Sequence, residues 1–351
     1  MKKLQPNQNI DQNSNRVQRA LNILTPMGFE HVYKSLDHCG QIASTFNPSS
    51  VVAHNEIRTL LETGKVALER AASNSTQWGL LSNREIDGLE SIVVAVGRPA
   101  ILIRNDHFDN PPTLWQTLEE HRSSIERVIQ SVGRIELSGH PSLEWAGTGF
   151  LIAPGVIATN RHVVQEFAQI DWQGHWSIGP NIKVSIDFAE ELGSQQPREF
   201  PINAIIGVHN RLDVALLRID DAYWSSLPLP LLLDSGTVPL APEQKTYVIG
   251  YPALDSRQND PNTLQRIFND IYNVKRLQPG LLRDWSAEIS AYMHDCSTLG
   301  GNSGSCFVDL VSGCVIGIHF GGRFGVTNWA HSIRDLASDP TLLNLGANFA
   351  T

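Results

Sequence analysis

Cysteine is scarce in this chain of 351 residues: four occur, Cys39, Cys296, Cys306 and Cys314, and no two form a C-x-x-C pair. That spacing gives no support to a zinc site, and a chain of this length has no need of disulfides to fold. The four are read as free thiols in a reducing cytoplasm, although Cys306 and Cys314 fall on neighbouring expected strands, where a bridge stays open as the alternative. His31, His38 and Cys39 lie close together at a spacing that fits no metal motif, so neither a metal nor another cofactor is expected. Long apolar runs are missing too. No stretch approaches the ~18 residues of a membrane span. Lys2 and Lys3 are not followed by the apolar core of an export signal. A cytoplasmic protein without a membrane partner is expected. Clustered cations are a third absence. The 27 Lys and Arg stand against 36 Asp and Glu, the net charge is −9, and no basic block exists to neutralise a phosphate backbone. Nucleic acid is thereby excluded as a partner.

What is present is ordinary globular material, 41% hydrophobic and 18% charged, in a length that favours two domains. Residues 1–20 are polar, rich in Asn and Gln, and read as a disordered tail. From Ser50 to Ser73 apolar residues recur at helical spacing (Val52, Ile57, Leu60, Leu61, Val66, Ala67, Leu68) and predict a helix. Ser82 and Glu85 form an S-x-x-E capping box ahead of the stripe Ile86, Leu89, Ile92 and Val93, and Gly97 and Pro99 end that second helix. Residues 100–104 (AILIR) read as a short buried strand, FDNPP breaks the chain, and a third helix is expected from Thr113 to Gln130. Residues 21–130 are thus a mainly helical region of unknown role.

After Gly133 the texture changes. RIEL, TGFLIA, VIATN, KVSIDF, INAIIGV, VALLRI, TYVIGYP, GSCFVDL and CVIGIHFG alternate with Gly, Pro, Asn and Asp turns. Such a series of short strands indicates an all-β sandwich or barrel over residues 131–351, dividing near 225–240. Asp255–Arg283 reads as a long loop, and a last helix is expected from Asn328 to about Leu345.

A serine hydroxyl is a weak nucleophile at neutral pH. It needs a base, a group to hold that base, and N–H donors aimed at the developing oxyanion. The chain offers a candidate for each. His162 follows the expected strand VIATN, in TNRHVV. Asp213 precedes the strand VALLRI. Ser303 lies in TLGGNSGS, where Gly300, Gly301 and Gly304 free the backbone to turn the N–H groups of Gly301 and Ser303 inward. Each alone has a plain structural reading, as a packed histidine, a turn aspartate or a polar loop. Together they fall in the order His, Asp, Ser, with spacings of 213 − 162 = 51 and 303 − 213 = 90 residues. The G-x-S-x-G elbow of α/β-hydrolases is excluded, because Ser305 stands where that motif needs Gly.

GTGFLIAPGVIATNRHVV (147–164) resembles the histidine region of trypsin/chymotrypsin-like serine proteases, and LDVALLRI resembles their aspartate strand. GGNSGS, followed by VIGIHFGG (315–322), is similar to the bacterial staphylococcal-type glutamyl endopeptidases, as is TYVIGYP (246–252). The resemblance covers about Val132 to Leu345. It implies a mostly β fold of two antiparallel six-stranded barrels with an active site between them. It further implies His162, Asp213 and Ser303 as catalytic triad, Gly301 and Ser303 as oxyanion hole, and Phe320, Gly321 and Gly322 as the edge that pairs with a peptide substrate. His319 and Thr298 fall where glutamyl-specific relatives contact the substrate carboxylate, which implies cleavage after Glu, with Asp second. Those relatives also use a free α-amino group, whereas here 130 residues precede the barrels. Cys306 stands where they usually carry Pro.

A serine endopeptidase acting on proteins or peptides is therefore expected. The alternative is an inactive or chaperone-like protease-fold binding module, regulated by a partner through residues 1–130. A chaperone-protease of the high-temperature-requirement type carries a peptide-binding domain after the protease, and this chain stops within a few residues of the barrel's expected end.

Overall fold

A computed structural model describes residues 51–73, 80–93, 97–254, 271–323, 327–337 and 344–350, with single positions between 14 and 33 and at 78 and 342. The described residues fall into two compact units. One draws on the chain up to Ala100 and on Pro111–Thr117, the other on Ile101–Asn110, Leu118–Asp255 and Ile271–Thr351.

The first unit is built around α1 (Val51–Ser73) and α2 (Asn83–Ile92). Ala67, Leu68 and Ala71 of α1 pack with Ile86, Leu89 and Ile92 of α2. The capping box forms as read. Glu85 N–H donates to Ser82 Oγ at 3.3 Å, and Ser82 N–H donates back to Glu85 Oε2 at 2.8 Å. The reading of residues 1–20 as a disordered tail needs correction. Ser14, Val17, Gln18 and Ala20 are helical, and Val17 and Ala20 join Leu21 and Leu24 in the same buried cluster. Those four apolar positions follow the i, i+3, i+4, i+7 spacing of one helix face, which the surrounding Asn and Gln obscured. The rest of that tail lies outside the described residues, and so do His31, His38 and Cys39 of the region that follows it.

The second unit opens with a short hairpin, β1 (Ile101–Arg104) and β2 (His107–Phe108). The expected helix from Thr113 to Gln130 is broken into a 3-10 turn, Thr113–Trp115, and helices α3 (Thr117–Glu120) and α4 (Arg122–Gln130). The break falls at His121, whose φ of −109° and ψ of 10° leave helical geometry. Arg122 beside it pairs with Glu119 and Glu126 and donates to Phe108 O at 2.9 Å.

The first barrel contains β3 (Val132–Ser138), β4 (Trp145–Ala153), β5 (Val156–Thr159), β8 (Lys183–Asp187), β9 (Glu199–Val208) and β10 (Ala215–Ile219), closed in the order β10-β5-β4-β3-β8-β9. Helix α5 (Arg161–Gln165) and the hairpin β6 (Ala168–Ile170) and β7 (Trp176–Ile178) interrupt it after β5. Ile135, Leu151, Ile157, Ile186 and Leu217 point inward and fill it.

The second barrel contains β11 (Lys245–Gly250), β12 (Arg276–Ser286), β13 (Ala291–His294), β14 (Cys306–Asp309), β15 (Val315–Arg323) and β16 (Thr327–Ser332). The ring runs β11-β14-β15-β16-β13-β12 and closes through pairing of β11 with β12. The second unit is therefore a pair of closed, antiparallel, six-stranded barrels, the chymotrypsin-like architecture. β1 extends the second barrel's sheet, pairing Ile101 with Leu277 of β12, so residues 101–104 pair into this sheet.

Two expectations in this half fail. The stretch Asn328–Leu345 is not one helix: residues 327–332 are strand β16, held between β13 and β15. Pairing on both sides overrides the local preference; among the described residues beyond that strand, Arg334–Leu336 makes a 3-10 turn and Leu342 and Asn344 are helical. The long loop Asp255–Arg283 contains most of β12, whose Arg276 and Gln278 are buried inside and whose Pro279 and Gly280 disguise it as a turn. Residues 255–270 of that loop lie outside the described residues. Cys296, Cys306 and Cys314 are buried free thiols, so the bridge between Cys306 and Cys314 does not form.

Candidate active site

The first barrel presents His162 and Asp213 at its rim. β5 ends at Thr159, Asn160 takes an extended conformation (φ −84°, ψ 151°), and the chain turns into α5. Val163 and Val164 are buried and pin that helix, which leaves His162 half-exposed. The Asn160 amide donates to Asp213 O at 2.8 Å, so the strand end that aims the histidine also holds the aspartate's backbone. His162 N–H donates to Asp213 Oδ1 at 2.9 Å, and His162 Nδ1 lies 2.5 Å from Asp213 Oδ2. A carboxylate at Nδ1 keeps the proton on that nitrogen and leaves Nε2 as the acceptor. Burial pushes the Asp213 carboxyl up, but hydrogen bonds and charge from His162, aided by His331, outweigh it and hold it below its usual value.

Two further histidines brace Asp213. His209 Nδ1 accepts the N–H groups of Arg211 and Leu212 at 3.2 and 2.8 Å, which closes the turn before Asp213. His331 Nε2, on β16, accepts Asp213 N–H at 3.2 Å, and its ring stacks on Phe320 with centroids 4.0 Å apart. Burial pushes the His331 imidazole down, in keeping with its role as an acceptor.

The second barrel presents Ser303. Gly301 (φ +84°) and Gly304 (φ +87°) occupy the left-handed region that favours glycine. Neither position has space for a side chain: a Cβ on Gly301 would lie 2.4 Å from the Trp145 ring and from Tyr251 O, and one on Gly304 would lie 2.1 Å from Thr148 O. Asn302, between the glycines and Ser303, is buried. Its Oδ1 accepts Gln278 Nε2 at 2.8 Å, and its N–H donates to Leu299 O at 3.2 Å. The N–H groups of Gly301 and Ser303 donate to no carbonyl among the described residues. Ser303 O accepts Thr148 N–H at 2.9 Å, and a Cβ on Gly147 would lie 3.0 Å from Ser303 O and 2.8 Å from Val163. The serine backbone is thus within a residue's width of the helix that carries His162. No hydrogen bond among the described residues joins Ser303 Oγ to His162 Nε2. Such bonds are commonly loose in a ligand-free site.

His319 and Thr298 are both buried. His319 Nδ1 lies 3.2 Å from Nε2 of His294, a buried ring stacked on Phe307 at 4.6 Å. Burial pushes His294 down to about 3, and burial, His294 and His162 together push His319 well below its usual range. Both rings are therefore neutral near pH 7. His319 Nε2 and Thr298 Oγ1 make no hydrogen bond among the described residues. On β15, pairing with β14 stops at Ile318, while β15 itself runs on to Arg323, so Phe320, Gly321 and Gly322 carry an open edge on that side. Among the described residues no three His, Cys, Asp or Glu side chains converge to hold a metal ion.

Asn160, His209, His331, His294 and Gln278 escaped sequence reasoning. Asn160 adjoins a singled-out motif. His331 lies on the stretch read as a helix and Gln278 on the one read as a loop, while His209 and His294 fall outside the segments singled out; nothing there marks a buried polar side chain.

Residues 147–318 match the family model described as a trypsin-like peptidase domain. No curated protein matches the chain significantly. Among solved structures, the active form of the Rv3671c protease from M. tuberculosis is 21% identical, with TM-score 0.42, over 64% of this chain and 84% of that one. Deg5 is 23% identical, with TM-score 0.45, over 66% and 97%. A serine endoprotease from Yersinia pestis is 20% identical, with TM-score 0.43, over 64% and 66%. The match to a trypsin-like peptidase domain spans just under half of the chain, lies within the double-barrel architecture and supports a peptidase. No helix among the described residues is long and apolar enough to cross a membrane.

Proposed function

We propose that the chain is a serine endopeptidase in which Ser303 is the nucleophile, His162 its base and Asp213 the group that orients the base. The contact between His162 Nδ1 and Asp213 Oδ2 carries this reading, because it fixes the one tautomer that can accept a serine proton. Ser303 Oγ attacks the scissile carbonyl as its proton passes to His162 Nε2. The carbonyl oxygen becomes an oxyanion, which the free N–H groups of Gly301 and Ser303 are placed to bind. His162 then protonates the leaving amine, and a water activated by the same nitrogen releases the acyl group. The open edge at Phe320, Gly321 and Gly322 suits an extended peptide added as a strand.

For the residue before the scissile bond we favour Glu, with Asp second. His319 and Thr298 offer a ring nitrogen and a hydroxyl with no partner of their own, and a buried carboxylate needs such bonds. Proteins or peptides are the substrate, a cytoplasmic location suits the three buried free thiols, and the helical unit is the place for a regulatory partner.

The test is labelling by a fluorophosphonate, followed by peptide mass mapping. A single adduct on Ser303 is expected, together with loss of about 10⁴–10⁶ in hydrolysis for Ser303→Ala at unchanged thermal stability. Near-normal turnover in that variant would sink the triad. A peptide library then reads the preference, and cleavage mainly after Lys, Arg or aromatic residues would remove the Glu assignment alone.

A further inference from the structure

Thr148 meets both barrels at once. It lies on β4 and is fully buried. Its N–H donates to Ser303 O at 2.9 Å. Its hydroxyl donates to Gly301 O at 2.8 Å and accepts the N–H of Tyr251, just past β11, at 3.3 Å. The direction of these two bonds is not open to choice. A hydroxyl has one proton, Tyr251 N–H must be the donor in its pair, and so the hydroxyl proton goes to Gly301 O. Thr148 O accepts the Thr159 hydroxyl at 2.7 Å. Thr159 in turn precedes Asn160, the residue that holds Asp213 O. One strand end and one threonine therefore reach the backbone of Asp213, Gly301 and Ser303.

We infer that Thr148 is a positioning residue for the oxyanion loop: its hydroxyl fixes the peptide after Gly301, and its N–H fixes Ser303, so that the two free N–H groups keep a common direction. The inference rests on the peptidase reading above. A methyl group in place of the hydroxyl leaves Gly301 O and Tyr251 N–H unpaired at a buried seam, and the loop is then held through Asn302, Gly304 and the backbone bond from Thr148 N–H to Ser303 O, none of which pairs with Gly301 O. An error of about 1 Å in such a constellation costs on the order of 10² in rate.

The test compares Thr148→Val, which keeps the shape and removes the hydroxyl, with Thr148→Ser, which keeps the hydroxyl. Two readouts are taken on the full chain: hydrogen exchange of the 299–305 segment, and kcat and KM separately. Thr148→Val is expected to speed exchange of the Asn302 and Gly304 amides and to lower kcat by about 10²-fold at nearly constant KM, with both restored in Thr148→Ser. Unchanged exchange in Thr148→Val overturns the proposal whatever the activity does. Equal losses in the Ser and Val variants overturn it as well, because they point to packing rather than to the hydroxyl. If Thr148→Val does not fold, Thr148→Ala carries the same comparison with the same outcomes. Failure of the peptidase reading shows separately, as hydrolysis that survives Ser303→Ala.

Discussion

The two barrels share a strand count and a closure, yet they fill their interiors differently. The first is packed with Ile, Leu, Val and Phe; of its buried polar residues Thr159, Asn160 and Asp187 sit at strand ends, and Thr148 lies within β4 where that strand meets the second barrel. The second has a smaller apolar cluster and buries Gln278, His294, Asn302, Ser305, Asp309, His319 and Asn328. An apolar barrel is rigid and indifferent to pH, which suits a base whose direction must not drift. A polar barrel interior has to satisfy every group it buries, and what is left unsatisfied becomes capacity for a ligand. Under the proposed function the first barrel carries the base and its partner at its rim, while the second carries the nucleophile and, in its polar interior, the groups proposed to read the substrate.

The largest test of this contrast falls on the first barrel. Asp213→Asn keeps the size of the side chain and its place beside His162 but offers an N–H where the imidazole needs an acceptor. The ring is then free to take the other tautomer, with its proton on Nε2 and no capacity to accept from Ser303. Turnover is expected to fall by about 10⁴, with the thermal midpoint little changed. A loss of less than tenfold would mean that Asp213 positions nothing the reaction uses, and the rim of the first barrel would be a structural feature only.

A smaller effect should separate the barrels by acid stability. Folded His294 stays neutral down to about 3. The unfolded ring takes a proton at its ordinary value near 6.5. Between those limits the unfolded state holds more protons, so stability falls as pH falls, by about 1.4 kcal/mol per pH unit for this one ring. His319, pushed down in the same direction, adds to the slope. Thermal melts from pH 7.5 to 4.5 should therefore show a decline that His294→Phe makes shallower by one proton's worth, whatever its absolute midpoint. An unchanged slope would mean that the second barrel admits the charge, and that its interior is wetter than its burial implies.

The same contrast explains what the sequence discloses. In the first barrel TGFLIA, VIATN and VALLRI are apolar runs bounded by turn residues, and each is a strand. The catalytic candidates stand at the ends of those runs, so reading the strands locates the residues. In the second barrel β12, β13 and β16 were not read as strands. Their segments (RLQPGLLRDWS, AYMH, TNWAHS) carry buried Arg, Gln, His and Asn where alternation would need apolar residues. The polar content that builds the binding interior is what hides its strands. His294 illustrates the limit. Nothing in MHDCS suggests a ring stacked on Phe307 and bonded to His319, because both partners are brought by other strands. The oxyanion loop stayed legible because close backbone approach demands glycine at Gly301 and Gly304, whereas the Thr148 seam that holds it is set by tertiary packing.

The smallest expected effect is the most specific to the second barrel. His294 Nδ1 is buried without a partner among the described residues. An orphaned N–H there is worse than an orphaned lone pair, so His294 carries its proton on Nε2 and donates to His319 Nδ1. His319 then presents an N–H at Nε2. A neutral N–H bonds the carboxylate of Glu and the amide oxygen of Gln alike, so at pH 8 the preference between them should be modest. As pH falls, the complex with Glu gains a proton at His319, because the bound carboxylate stabilises the imidazolium, and the complex with Gln does not. The kcat/KM ratio of matched Glu and Gln peptides should therefore rise as pH drops from 8 to 5, by several-fold and at most about tenfold per pH unit. The rise should end where the substrate carboxylate itself protonates, near ~4.3. Effects of pH on His162 and Asp213 cancel in this ratio, since both peptides meet the same triad. His319→Val should flatten the ratio and bring it near one. A ratio that is already large at pH 8 and constant down to pH 5 would show that a fixed charge or a different donor reads the carboxylate, and that the histidine pair serves the packing of the second barrel alone.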